Sequence, residues 1–160
     1  MKINILTTGG TIDKVYFDAN STYEVGEPQI GEVLERSRVV FEFTIRTLCQ
    51  KDSLDLTDDD REAIHRSVAE ASTRHVIVTH GTDTMTQTAA RLRDIEDKVI
   101  VLTGANQPAR FQDSNAIFNI GCAVAAVQTL PAGVYIAMSG RVFEAGRVRK
   151  NRQTGRFEDA

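Results

Sequence analysis

The chain has 160 residues, 41% apolar and 26% charged, with a net charge of −3. That length and composition allow a sizeable core without disulfides or a structural metal, so one compact unit spanning residues 1–160 is expected. The charge creates no general attraction for nucleic acid or anionic lipid, despite the locally basic RVRKNR, and a small neutral or zwitterionic ligand fits better.

In chain order, KINILTT reads as a buried strand running into Gly9-Gly10. The polar segment that follows, with Tyr16, Tyr23, Gly26 and Pro28, lacks periodicity and reads as a long loop suited to a lid. Val39 to Leu48 alternates Phe41, Phe43 and Ile45 against Glu42, Thr44 and Arg46, the pattern of an outer strand with one wet face. Thr57 then caps a helix whose first turn carries Asp58, Asp59 and Asp60 and whose Ile64, Val68 and Ala71 share a face.

HVIVTHGTD repeats the N-terminal design, an apolar strand ending in a Gly and Thr turn, with a helix through TMTQTAARLRDI after it. Lys98 to Pro108, KVIVLTGANQP, does so again and leads to a helix through NAIFNIGCAVAAVQTL. GVYIAMS is a further strand, and RVFEAGRVRK suggests a terminal β-hairpin about Gly146. Strands alternating with helices imply an α/β fold, a doubly wound, mostly parallel sheet flanked by helices in three layers, Rossmann or flavodoxin-like.

In such sheets ligands bind beyond the carboxyl ends of the strands, where TTGGTI, THGTD and LTGANQP fall. The glycines let backbone approach a ligand, and the threonines supply hydroxyls with restricted rotamers. Together they suit attack on a carbonyl, with amides of the Gly9-Gly10-Thr11 or LTGANQ turn as donors to the oxyanion. The competing reading is that these residues only cap helices and relieve strain. Neither GxxxxGK[ST] nor GxGxxG occurs, which argues against nucleotide binding.

TTGGTI, HGTDTM at His80 to Met85 and TGANQP, in this order and spacing, resemble the bacterial-type L-asparaginases, the asparaginase/glutaminase amidohydrolase family. The resemblance spans nearly the whole chain. It implies hydrolysis of the L-asparagine side-chain amide to L-aspartate and ammonia through an acyl-enzyme, with L-glutamine a weaker substrate. It places the nucleophile on Thr11, a second threonine and an aspartate on Thr82 and Asp83, and the catalytic lysine on Lys150. The flexible-loop tyrosine falls on Tyr23, in YEVG, with Tyr16 as the alternative, and Ser53, Gly81 and Gly10 join Thr82 and Asp83 as substrate contacts.

Two departures stand out: Leu54 occupies a position that is often polar in the family, and the chain ends about where relatives begin a second domain. The resemblance therefore implies a short-chain form that resembles the N-terminal domain alone, closed by homodimer or homotetramer formation. Two other readings stay open, an asparagine- or aspartate-binding module with impaired turnover, and an ammonia-releasing subunit of the amidotransferase branch.

No cofactor or metal is expected, because consecutive carboxylates at Asp58 to Asp60 diverge around a helix and cannot share one ion. His65 and His75 read as surface or capping residues and His80 as a scaffold for its turn. Cys49 and Cys122 read as free thiols of a reducing compartment. The N-terminus lacks signal-peptide features and no apolar run reaches bilayer length, so a cytoplasmic protein is expected.

Overall fold

The computed structural model describes residues 1–160, apart from the side chain of Asn20. The chain runs from β1 (Lys2–Gly9) through a hairpin, β2 (Lys14–Phe17) and β3 (Thr22–Val25), to α1 (Ile30–Arg36) and β4 (Glu42–Lys51). Next come α2 (Asp58–Ala69), β5 (His75–Thr79), α3 (Met85–Arg91), β6 (Val99–Thr103), α4 (Ala116–Thr129) and β7 (Gly133–Met138). The C-terminal segment adds β8 (Arg141–Glu144), β9 (Val148–Asn151) and β10 (Arg156–Asp159).

The main sheet has the order β4-β1-β5-β6-β7-β8, parallel except for β8. Its inner strands are apolar on successive residues because helices cover both faces. Val76 and Val78 of β5 pack with Ile64 and Val68 of α2 and with Met85 and Ala89 of α3. Ile77, between them, joins Ile3 and Ile5 of β1, Ile30 and Leu34 of α1, and Ile120 and Val127 of α4 on the other face. The period of two in a strand thus sorts one apolar run into two cores, giving the three layers that the alternation of elements predicts.

β4 lies at the sheet edge, as its alternating pattern indicates, but begins and ends three residues later than the sequence pattern places it. The segment read as one long loop is different: residues 14–25 form an antiparallel hairpin in which Tyr16 pairs with Tyr23. It is a two-stranded ribbon apart from the main sheet, so neither face produces the alternation that burial imposes. The seven-residue α1 is also absent from the sequence reading; only Ile30 and Leu34 mark its buried stripe. The C-terminal hairpin forms, but not about Gly146: β8 turns back on β7, and β9 pairs with β10 around residues 152–155. Gly146 marks the passage from one hairpin to the next.

α2 starts as its sequence indicates. The Thr57 hydroxyl accepts from the Asp60 amide at 3.2 Å, while Asp60 Oδ2 accepts from the Thr57 amide at 2.8 Å. This reciprocal capping box satisfies two amides that the helix leaves open. Asp60 also takes Lys51 Nζ at 2.8 Å, and Asp58 takes Arg61, so two of the three carboxylates are already engaged locally.

The sheet reverses its winding between β1 and β5, which makes their carboxyl ends the topological switch point. There the two backbones touch. Gly10 sits at φ +90°, and a Cβ on it would lie 2.5 Å from both Cα and N of Gly81. Its amide donates to the Lys51 carbonyl at 2.9 Å, tying the turn to β4 as well. Gly81 in turn lies against Ser53, whose Cβ would be 2.6 Å from an added methyl.

Two stability outcomes follow from these local structures. Thr57→Ala removes the cap and lowers unfolding free energy by about 1 kcal/mol, read from the urea midpoint at constant slope. Gly10→Ala adds left-handed strain of about 1 to 3 kcal/mol to a backbone collision, and its midpoint falls further than that of Thr57→Ala.

Candidate active site

Thr82, Asp83 and Lys150 meet in space across more than 65 residues of sequence. Lys150 Nζ donates to Thr82 Oγ1 at 2.7 Å and to Asp83 Oδ1 at 2.5 Å. The lysine side chain is 11% exposed and the aspartate 39%, so the pair has a covered end and a wet end. The alternation of β9 explains this placement. Val148 is buried in the core with Phe157, Arg149 points outward to Glu158 at 2.9 Å, and Lys150 returns to the face of Val148. Phe157 is directly opposite Lys150 in the register with β10, so the same apolar anchor that seats the hairpin aims the ammonium.

Ser53 is 1% exposed. Its hydroxyl accepts from the Asp83 amide at 3.2 Å, and its carbonyl accepts from Thr84 Oγ1 at 2.7 Å. Accepting from Asp83 leaves the Ser53 proton to be donated elsewhere. Ser53 and Gly81 thus flank the Thr82-Asp83 peptide, while Leu54 next to Ser53 is largely exposed.

His80 is fully buried. Nδ1 lies 2.7 Å from the Gly81 carbonyl, which can only accept, so Nδ1 carries the proton and Nε2, 2.8 Å from Thr88 Oγ1, accepts from that hydroxyl. Burial pushes the imidazole down to about 4, so the ring is neutral through the physiological range. It fixes the carbonyl just before Thr82 and serves as scaffold, in agreement with the sequence reading. The third turn joins the same rim: the His80 amide donates to the Thr103 carbonyl at 2.9 Å, and Asn119 Nδ2 to the Gly104 carbonyl at 2.9 Å.

Thr11 opens a single turn of 3-10 helix, Thr11–Asp13, after Gly10. Because Gly10 rests on Gly81, Thr11 and Thr82 leave the same backbone contact in adjacent positions. The two tyrosines lie side by side: their rings meet edge to face at 5.4 Å, and Tyr23 also meets Phe111 at 5.9 Å. Both are half exposed. Among the described residues, no hydrogen bond joins either hydroxyl to Thr11, Thr82 or Lys150. Thr7 and Thr8 serve the scaffold, with Thr8 Oγ1 donating to the Thr79 carbonyl at 2.9 Å.

Two residues that follow Thr11 closely in the chain, Asp13 and Lys14, escape the sequence reading. Lys14 reaches Asp52 at 2.7 Å and ties the base of the hairpin to the segment that carries Ser53. Asp13, directly before it, is buried with its carboxyl facing Gln29. A lone aspartate in a polar stretch reads as solvated, and only the fold shows that it is enclosed. A groove of about 560 Å³ between α1 and the segment after β6, lined in part by Gln29, Arg36 and Arg110, contains none of the anticipated site residues.

Known proteins resemble this chain over nearly its whole length. Residues 2–158 match the family model described as asparaginase, N-terminal. A probable periplasmic L-asparaginase of Haemophilus influenzae is 30% identical over 95% of this chain and 47% of its own length. A glutamyl-tRNA(Gln) amidotransferase subunit of Methanococcus vannielii is 30% identical over 88% of this chain and 34% of its own. The thermostable L-asparaginase from Thermococcus kodakarensis shares the fold with a TM-score of 0.86 at 24% identity, over 99% of this chain and 51% of that one. The chain spans about half or less of the length of these relatives. With the family match running over almost every residue and the three Gly and Thr turns assembled at the switch point, the chain belongs to the asparaginase family.

Proposed function

We propose that this chain is an L-asparaginase that hydrolyses the side-chain amide of L-asparagine to L-aspartate and ammonia. The observation that carries the reading is the Lys150 ammonium held on both Thr82 Oγ1 and Asp83 Oδ1 beside the Gly10-Gly81 contact. A threonine hydroxyl is a weak nucleophile and needs a base to take its proton as it attacks the amide carbon. In its uncharged form the Lys150 amine accepts the Thr82 proton at the observed separation, and Asp83 offsets the charge that results.

Thr11 is the first attacking group in this reading, served by the hairpin tyrosine Tyr23 or, as the alternative, Tyr16, and Thr82 relays the proton to Lys150. Collapse of the tetrahedral intermediate breaks the C–N bond, ammonia leaves with the proton returned from Lys150, and water then hydrolyses the acyl-enzyme to L-aspartate and free threonine hydroxyl. The Gly10 amide is taken by the Lys51 carbonyl, so the Thr11 amide or amides of the LTGANQ turn stabilise the tetrahedral oxyanion, while Ser53, Gly81 and Asp83 recognise the α-carboxylate and α-ammonium of the substrate. No step requires a cofactor or metal.

Asp83 and the tyrosines face solvent, so a second copy of the chain completes the site in a homodimer or homotetramer. The described residues include no helix long and apolar enough to cross a membrane, and the reading places the enzyme in the cytoplasm. A second reading, an ammonia-releasing subunit that serves a partner enzyme, draws on the similarity to the amidotransferase chain of Methanococcus vannielii.

Purified protein is expected to release ammonia from L-asparagine, and absence of turnover at high substrate would overturn the enzymatic reading. Turnover that appears only with a partner would select the amidotransferase reading. Thr82→Ala and Lys150→Met should each lower kcat by about 10²- to 10⁴-fold with folding retained, as expected for loss of a proton-transfer group. Thr11→Ala should abolish acyl-enzyme trapping by mass spectrometry, whereas trapping on Thr82 in that variant would reverse the order of attack.

A further inference from the structure

Two residues after Thr11 lies a carboxylic acid that this reaction does not use. Asp13 is 1% exposed. Its amide donates to the Gly10 carbonyl at 3.1 Å, its carbonyl accepts from the Gly26 amide at 2.9 Å, and Oδ1 accepts from the Gln29 amide at 2.9 Å. One residue therefore joins the glycine turn before Thr11, the base of the β2-β3 hairpin and the entry to α1. Oδ2 is buried with no hydrogen-bond partner.

The charged groups around Asp13 do not neutralise it. Glu27, on the connection from the hairpin to α1, repels it. Arg110, from the segment after β6, donates through Nε to Gln29 Oε1 at 2.8 Å. Lys14 is engaged by Asp52. Among the described residues, no ion pair forms to Asp13. Burial pushes its carboxyl up to about 7, against the opposing pull of the Gln29 amide.

We propose that Asp13 is a positioning residue: in its uncharged form it holds the turn that carries Thr11 and the hairpin that carries Tyr16 and Tyr23 in one register. The proposal rests on the reading of Thr11 as nucleophile. Once charged, the enclosed carboxyl can regain a hydration shell only by opening the base of the hairpin. The folded chain keeps a proton that the unfolded chain, with a carboxyl near 3.8, has lost. The resulting stabilisation is complete below 3.8 and disappears as pH rises through about 7. His80 acts in the opposite sense: its contribution is complete above 6.5 and lost as pH falls toward about 4. Comparing variants at one pH cancels the histidine.

Asp13→Asn keeps the shape and the Oδ1 acceptor without the charge, and Asp13→Ala removes the acceptor. Hydrogen-exchange protection of the Gly26 and Gln29 amides, corrected for intrinsic rate, should fall about tenfold in wild type from pH 5.5 to 8.5. It should stay high in Asp13→Asn and low in Asp13→Ala at both values. For asparagine, the ratio of kcat/KM of Asp13→Asn to wild type should be near one at pH 5.5 and about ten at pH 8.5. Protection in wild type that is independent of pH, or Asp13→Asn matching Asp13→Ala, would overturn the proposal. A flat kcat/KM ratio beside the expected exchange would overturn the link to Thr11. If Asp13→Asn does not fold, the wild-type profile still decides; if wild type does not turn over asparagine, the functional reading fails while exchange still judges the latch.

Discussion

Everything at the candidate site depends on the backbone of Gly10 resting directly on the backbone of Gly81. At the switch point, two parallel strands deliver their carboxyl ends side by side, and the distance between them is set by what lies between the turns. With 2.5 Å from a notional Cβ to the facing Cα, nothing but hydrogen fits. Thr11 and Thr82 are each the next residue along the chain from that contact, and Gly81 lies equally close to Ser53, which brings in the third segment.

The polar framework behind the glycines is satisfied with few exceptions. His80 links the Gly81 carbonyl to α3 through Thr88, Thr8 links β1 to β5, and Asn119 links the third turn to α4. Such bonds hold the turns rigid, which a site needs if its hydroxyls are to be aimed. Against this background the bare Oδ2 of Asp13 is conspicuous, since a buried oxygen without a partner is uncommon in a folded chain.

Lys150 reaches the site by a different route. It comes from a two-stranded ribbon outside the main sheet, seated by Val148 and Phe157 in the core shared by α2 and α3. Apolar burial therefore sets the position of a cation, and Asp83 and Thr82 receive it at hydrogen-bond distance. The hairpin with Tyr16 and Tyr23 is less firmly seated: its rings meet each other and Phe111 edge to face, with half of each tyrosine in solvent.

By itself, the sequence determined the strands buried on both faces, the capped α2 and the three Gly and Thr turns, because each is written in consecutive residues by burial or by turn chemistry. The apolar runs of β1, β5 and β6 announce a parallel sheet, and TTGGTI with HGTDTM identifies the family. Only the tertiary structure decided that residues 14–25 form a hairpin, that Tyr16 and Tyr23 face each other, and that the last hairpin turns after Asn151 rather than at Gly146. Pairing partners in small ribbons are chosen by contacts made elsewhere, which leave no period in the chain. The enclosure of Asp13 is likewise invisible locally, since burial belongs to the surroundings a residue acquires and not to the residue.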